Sequence, residues 1–255
     1  VNAVALHAEV RGNGPPVLFA HAIAYDHRMW LPMLEHFGSG RRAILADLRG
    51  HGRSAVPPGP YSLQQMAGDC AALLDHLRIE RADFVGLSLG GMVGQAFALH
   101  HPDRVNRLVL SNTSSSYGSA GREMWEARKK LVREGGLAAL HDMAVSRNFS
   151  EAFRREHPES VAEAMKPFLA SPVEGYVGCC DAIAALDFTG ALPRIFAETL
   201  VIAGSLDPGT PVAMSETLVR GIPKSRLAVI EGAAHLSAYE KPAEFARLVR
   251  GFLQA

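Results

Sequence analysis

The chain has 255 residues, 48% of them hydrophobic, which is enough to bury a large core and excludes a disordered or fibrous protein. Lys plus Arg equals Asp plus Glu at 26 each, so no net field recruits nucleic acid or an anionic membrane, and a small molecule is the expected partner. Three cysteines, Cys70, Cys179 and Cys180, of which the last two are adjacent, do not suit a disulfide framework and read as packing residues in a reducing compartment.

The start of the chain, Val1-Asn2-Ala3-Val4, has no basic segment followed by an apolar stretch, and no later run reaches membrane-spanning length. A soluble, cytoplasmic protein is expected. Short apolar runs then recur at 16–20, 42–46, 82–85, 105–110, 199–203 and 226–230. Nearly continuous apolar strands separated by amphipathic helices predict an α/β fold with a mostly parallel sheet covered on both faces. The spacing of Leu63, Met66, Cys70, Leu73, Leu74 and Leu77 predicts a helix over 62–77 capped by Ser62, with this stripe in the core. From about residue 112 to 192 the strand-like runs stop, and helical patterns begin at Glu123, Leu137, Pro158 and Pro172. Such a stretch cannot extend the sheet, so 1–111 and 193–255 are expected to form the core and 112–192 a helical cap that sets substrate selectivity.

Chemistry concentrates where 82–85 runs into Gly86-Leu87-Ser88-Leu89-Gly90, followed by the helical Gly91-Met92-Val93-Gly94. A strand, a glycine-flanked serine and a helix in succession form a nucleophile elbow. Small residues two positions either side of the serine let neighbouring chain approach a strained turn that lifts the hydroxyl above the sheet. The bland alternative is a strand-to-helix turn whose serine only caps the helix. A serine hydroxyl needs a base, and the base an orienting carboxylate. With an elbow serine these follow in chain order, acid and then histidine, each after a later strand. Asp207 follows the run 199–203, and His235 is the one histidine of eleven beyond both Asp207 and the last strand. Asp181 and Asp187 also precede His235 but follow no clear strand.

An oxyanion requires preorganised donors, which the elbow supplies from the N–H after the nucleophile and from a loop after an early strand. These map to Leu89 and to Ile23 in His21-Ala22-Ile23-Ala24, where His21 reads as a structural residue orienting the loop. No zinc-like spacing, P-loop or dinucleotide fingerprint occurs, so neither a cofactor nor a metal is required. Gly90, Gly91 and Gly94 read as packing glycines, and Arg49-Gly50-His51-Gly52-Arg53-Ser54 as a glycine-rich turn rather than an anion site.

Asp47-Leu48-Arg49-Gly50-His51-Gly52-Arg53-Ser54, Val56-Pro57-Pro58-Gly59-Pro60-Tyr61, the segment from Gly86 to Gln95, and Ala234-His235-Leu236-Ser237 with Glu240 together resemble the 3-oxoadipate enol-lactonases of the α/β-hydrolase superfamily. The likeness spans most of the chain. It implies a serine hydrolase that opens a small enol-lactone acid through an acyl-enzyme. The chain departs from the family pattern at His21 to Ala24, where asparagine-serine-leucine-glycine is usual, and at Val85, where a cysteine is frequent. It departs again at Arg147-Asn148-Phe149, which stands for arginine-tryptophan-phenylalanine. Arg147 would pair with a substrate carboxylate, or else face solvent as a cap arginine. Readings that remain beside this one are a general carboxylesterase, another lactonase or carbon–carbon bond hydrolase, and a ligand-binding receptor built on the same fold.

Overall fold

In a computed structural model the described residues are 3–254, so the Val1-Asn2 start of the N-terminal reading lies outside them. Seven strands form one sheet: β1 (Ala8–Arg11), β2 (Pro16–Ala20), β3 (Arg42–Ala46), β4 (Ala82–Leu87), β5 (Val105–Ser111), β6 (Glu198–Gly204) and β7 (Ser225–Ile230). Their order is β1-β3-β2-β4-β5-β6-β7, with β1 antiparallel to β3 and every other pairing parallel. Six of these strands match the expected apolar runs. β1 was not expected, because Ala8-Glu9-Val10-Arg11 alternates apolar and charged residues and pairs on one side only, leaving it half exposed. By contrast β4 is buried at all six positions, as a central strand covered on both faces must be.

The helices are α1 (Leu31–Leu34), α2 (Leu63–His76), α3 (Leu89–His100), α4 (Gly118–Gly135), α5 (His141–Asn148), α6 (Glu151–Glu156), α7 (Pro158–Leu169), α8 (Val173–Ala184), α9 (Val212–Gly221), α10 (Ser237–Glu240) and α11 (Pro242–Gln254). None of them is long and apolar enough to cross a membrane. At the start of α2 the Ser62 Oγ accepts the Gln65 N–H at 3.1 Å, while the Gln65 Oε1 accepts the Ser62 N–H at 2.9 Å. This capping box satisfies two backbone donors at once and fixes where the chain enters the helix.

Between β5 and β6 the chain forms α4 to α8 and adds no strand to the sheet; its Ser116 and Asp187 ends meet in an isolated antiparallel bridge. α4 begins five residues before Glu123, and the pattern at Leu137 is a 3-10 turn that leads into α5. α6 is an addition, capped by Ser150, whose Oγ accepts the Phe153 N–H. Six residues are fewer than two turns, too few for a helical period to stand out.

The Arg49 to Ser54 turn meets this inserted segment at Gly50. Arg49 makes a bidentate pair with Asp69 on α2, at 2.5 and 2.7 Å with both side chains buried, so its charge is already answered within the protein. Gly50 has φ +79° and lies where a Cβ would come 2.7 Å from the Gly175 Cα of α8, so both conformation and space require glycine there. All three cysteines are buried free thiols.

Candidate active site

Ser88 follows β4 directly and opens α3 with φ 57° and ψ −115°, a conformation costly for any residue with a side chain. Its surroundings over-determine it. The Ser88 N–H donates to the Ser111 carbonyl at 2.9 Å, and its own carbonyl accepts from the Thr113 hydroxyl at 2.8 Å and the Met92 N–H at 3.1 Å. A Cβ on Gly86 would sit 2.2 Å from the Gly90 carbonyl oxygen, and one on Gly90 would sit 2.0 Å from that of Ala20. Neither site could hold alanine without moving backbone. Gly91 and Gly94 press in the same way on Thr113 and Phe84, which accounts for these glycines by packing alone.

The strand ends bring the three residues chosen by chain order together. His235 Nε2 lies 2.9 Å from Ser88 Oγ, and His235 Nδ1 lies 2.8 Å from Asp207 Oδ2. Asp181 is instead engaged by Lys129, at 2.5 Å, and Asp187 sits at the bridge to Ser116. With Nδ1 donating to the carboxylate, Nε2 is left with its lone pair toward the serine hydroxyl. Asp207 Oδ2 also accepts from Asn112 Nδ2 at 2.9 Å and Thr210 Oγ1 at 2.6 Å, and its Oδ1 accepts the N–H groups of Gly209 and Thr210 at 2.8 and 3.1 Å. Burial works to raise the Asp207 pKa, but the charge of His235 and these hydrogen bonds outweigh it and hold the carboxyl well below its usual range. For His235 burial prevails: it lowers the pKa against the pull of Asp207, and Arg147 lowers it further.

The two expected oxyanion donors are both available. Among the described residues the N–H groups of Ile23 and Leu89 have no hydrogen-bond partner, although both residues are buried. A buried unpaired N–H is uncommon and calls for an acceptor. His21 serves the loop as expected: Nε2 accepts the Leu48 N–H at 2.9 Å, and Nδ1 donates to the Ala22 carbonyl at 2.8 Å. Its burial lowers its pKa and keeps the ring neutral for that pattern.

Arg147 lies at the C-terminal end of α5 beside the Asp207 loop, with its Cδ 3.1 Å from where a Gly209 Cβ would be. It lines a narrow cleft with Ile23, Arg128, Leu140, Met143, Ala144, Phe168 and Tyr176, and the two arginines also line an open surface groove with Tyr117, Pro208 and Gly209. Arg128 is the residue that sequence reasoning missed. On α4 it sits among Arg122, Glu123, Glu126, Lys129 and Lys130, where one inward-facing arginine looks like any member of a solvated face. Its guanidinium stacks over Trp125 at 4.7 Å, and burial followed by repulsion from Arg147 lowers its pKa. Among the described residues neither Arg128 nor Arg147 makes an ion pair. A second cavity is lined by Tyr25, Arg28, Met29, Pro32, Glu163 and Tyr239; neither it nor the cleft at Arg147 is lined by Ser88, Asp207 or His235.

His7, His27 and Asp47 form the one group of described residues with atoms close enough to share a metal ion, within 4.8 Å of one another. The Asp47 carboxylate already accepts from His27 Nδ1 and from the N–H groups of His27 and Arg53, so it fixes the turn that follows β3.

The family model described as alpha/beta hydrolase fold matches residues 15–242. The chain belongs to that family. It is 38% identical over 240 residues to 3-oxoadipate enol-lactonase 2 of Acinetobacter baylyi, covering 94% of this chain and 89% of that protein. Its structure superposes on the enol-lactonase of Burkholderia xenovorans LB400 with a TM-score of 0.94 at 34% identity, covering 98% and 96% of the two chains. A thermophilic esterase from Thermogutta terrifontis, solved with malate bound, gives 0.93 at 33% identity, covering 98% and 93%. Membership of this fold family with relatives of these kinds makes the chain a hydrolytic enzyme.

Proposed function

We propose that this α/β-hydrolase is a serine hydrolase that opens a small carboxylate-bearing ester or enol-lactone, with 3-oxoadipate enol-lactone as the best candidate substrate. The observation that carries the substrate class is the pair of arginines, Arg128 and Arg147, which line one narrow cleft with Ile23 and have no carboxylate partner among the described residues. Two neighbouring cations in a partly buried site repel each other until an anion joins them, and a guanidinium binds a carboxylate through two parallel hydrogen bonds. The likeness to two enol-lactonases supports the lactone, and the malate bound to the related esterase supports a site able to accept a small acid. Residues 112–192 act as a cap that brings these arginines over the elbow.

In this mechanism the Ser88 Oγ attacks the lactone carbonyl while His235 Nε2 accepts its proton. The Ile23 and Leu89 N–H groups receive the charge that develops on the carbonyl oxygen. Collapse of the tetrahedral intermediate breaks the ring C–O bond, and the enolate oxygen leaves with the proton from His235 and ketonises. Water, deprotonated by His235, then cleaves the acyl-enzyme and frees Ser88. Asp207 holds the imidazole in the required tautomer and stabilises its charged form.

The test is a substrate panel. Purified protein is expected to turn over 3-oxoadipate enol-lactone with kcat/KM well above that for uncharged aryl esters; the reverse order would refute the acid-lactone assignment and leave a general carboxylesterase, for which the apolar lining by Leu140, Ala144 and Phe168 speaks. Arg147→Ala is expected to raise KM for acidic substrates by about 10- to 100-fold, the worth of a hydrogen bond to a charged group, and to leave KM for neutral esters nearly unchanged. Equal losses on both would show that Arg147 does not read a carboxylate.

The pH profile follows from the direction of the His235 shift. The base must be neutral, so kcat/KM falls as pH drops through its pKa; because burial holds that pKa below 6.5, the acid limb is expected below pH 6.5. Removing the Arg147 charge should move this limb upward, since Arg147 helps keep the imidazole unprotonated. A limb above pH 7 in the unmodified enzyme would contradict the assignment.

A further inference from the structure

The turn that presents the Ile23 N–H has an alanine where its backbone is left-handed. The Tyr25 N–H donates to the Ala22 carbonyl at 3.1 Å, closing a four-residue turn, and Ala24 within it has φ +65°. A Cβ is sterically costly there, so the turn persists only if its neighbours hold it. One hold comes from the sheet side: the Ala24 N–H donates to His51 Nε2 at 2.9 Å, while His51 Nδ1 donates to the Arg49 carbonyl at 3.0 Å. Burial pushes the His51 pKa down to about 3, so its Nε2 stays a lone-pair acceptor.

The other hold comes from the inserted helices. Asn148, the last residue of α5, is fully buried, and its Nδ2 donates to the Tyr25 hydroxyl at 2.7 Å. Its Oδ1 accepts from Arg147 Nε at 3.1 Å, and its backbone carbonyl accepts the Leu236 N–H, next to His235, at 3.0 Å. One residue therefore ties the substrate-facing arginine, the turn bearing Ile23 and the loop bearing His235. A buried amide with its donor and acceptor committed in opposite directions fixes the relative position of both partners.

We propose that Asn148 is a positioning residue that sets the Ile23 N–H against the developing oxyanion and aligns it with the carboxylate grip of Arg147. The inference rests on the hydrolytic reading of Ser88 and Ile23 given above. It makes the amide of Asn148 and the hydroxyl of Tyr25 one functional unit.

The experiment compares Tyr25→Phe, Asn148→Ala and the double variant on a neutral aryl ester and on an ester carrying a carboxylate. Rates are expressed per active site titrated with a serine-directed phosphonate. Tyr25→Phe is expected to lower kcat on both esters by about 10- to 100-fold with KM for the neutral ester unchanged, the consequence of a displaced oxyanion donor. Asn148→Ala should match that loss and in addition raise KM for the acidic ester. The double variant should be no slower than Asn148→Ala alone, because both changes break the same link. A merely structural role would lower the melting temperature and the titratable fraction while leaving kcat per titrated site intact. That outcome, or additive losses in the double variant, overturns the proposal. Tyr25→Phe retains the ring and its packing, so the test stands even if Asn148→Ala does not fold. Turnover surviving in Ser88→Ala would instead defeat the underlying hydrolytic reading; an inactive Ser88→Ala beside a fully active Tyr25→Phe would defeat this inference alone.

Discussion

Ser88→Ala is expected to lower kcat by about 10⁶-fold, close to 8 kcal/mol of barrier, while leaving the protein folded. The side chain lost is one hydroxyl at the head of α3, and the bonds that hold the elbow's backbone, from the Ser88 N–H to the Ser111 carbonyl and from the Thr113 hydroxyl and Met92 N–H to the Ser88 carbonyl, do not involve it. Alanine carries the same Cβ as serine, so the left-handed conformation is no more strained than before. A competitive dicarboxylate inhibitor should therefore bind the variant with nearly unchanged affinity, through Arg128 and Arg147. Loss of turnover together with retained inhibitor binding separates chemistry from recognition. A folded variant with unchanged kcat would refute Ser88 as nucleophile.

Asp207→Asn has the next largest expected effect, a fall in kcat of about 10⁴-fold. The carboxylate accepts from five donors: His235 Nδ1, Asn112 Nδ2, the Thr210 hydroxyl and the N–H groups of Gly209 and Thr210. An asparagine brings an NH₂ into a place where every neighbour donates, so it either meets a donor head-on or turns the imidazole into the other tautomer, with its proton on Nε2 and no lone pair for Ser88. Kinetics across pH give the decisive reading. With Asp207 replaced, the imidazolium that forms during attack loses its counter-charge, and the deficit should persist at every pH at which the parent enzyme is active. A loss below tenfold would show that Asp207 does not orient the base.

Residues that could be recognised from the chain alone share one property: the signal lies within a few neighbours. β2 to β6 stood out because strands largely buried on both faces need unbroken apolar runs. β7, though a half-buried edge strand, stood out because its own run from Leu227 to Ile230 is apolar, and the elbow because glycine two positions either side of a serine answers a local steric demand met at Gly86 and Gly90. β1 escaped notice because an edge strand with charged residues at alternate positions needs no such run. Asn112 lies in the left-handed region at φ +45° and joins Asp207 to Ser237, yet in the sequence it looks only like a residue after a strand. Glu240 was noticed through family likeness alone. In the folded chain it is buried and accepts the Ala234 N–H at 3.0 Å while binding Ser150 of the inserted segment.

By itself the sequence determined the fold class, the order of six of the seven strands along the chain, and the candidate nucleophile, acid and base, because strand, turn and helix preferences are local and chain order limits which later loops can supply partners. Only the tertiary structure decided which distant side chains meet. Arg128 joins Arg147 on one cavity across a turn and two helices, and Asn148 reaches Tyr25 across 123 positions of chain. Periodicity reports which face of a helix is buried but not what lies opposite it. The proposed substrate class rests on those meetings, since an arginine on its own and an arginine beside a second unpaired arginine leave the same trace in the sequence.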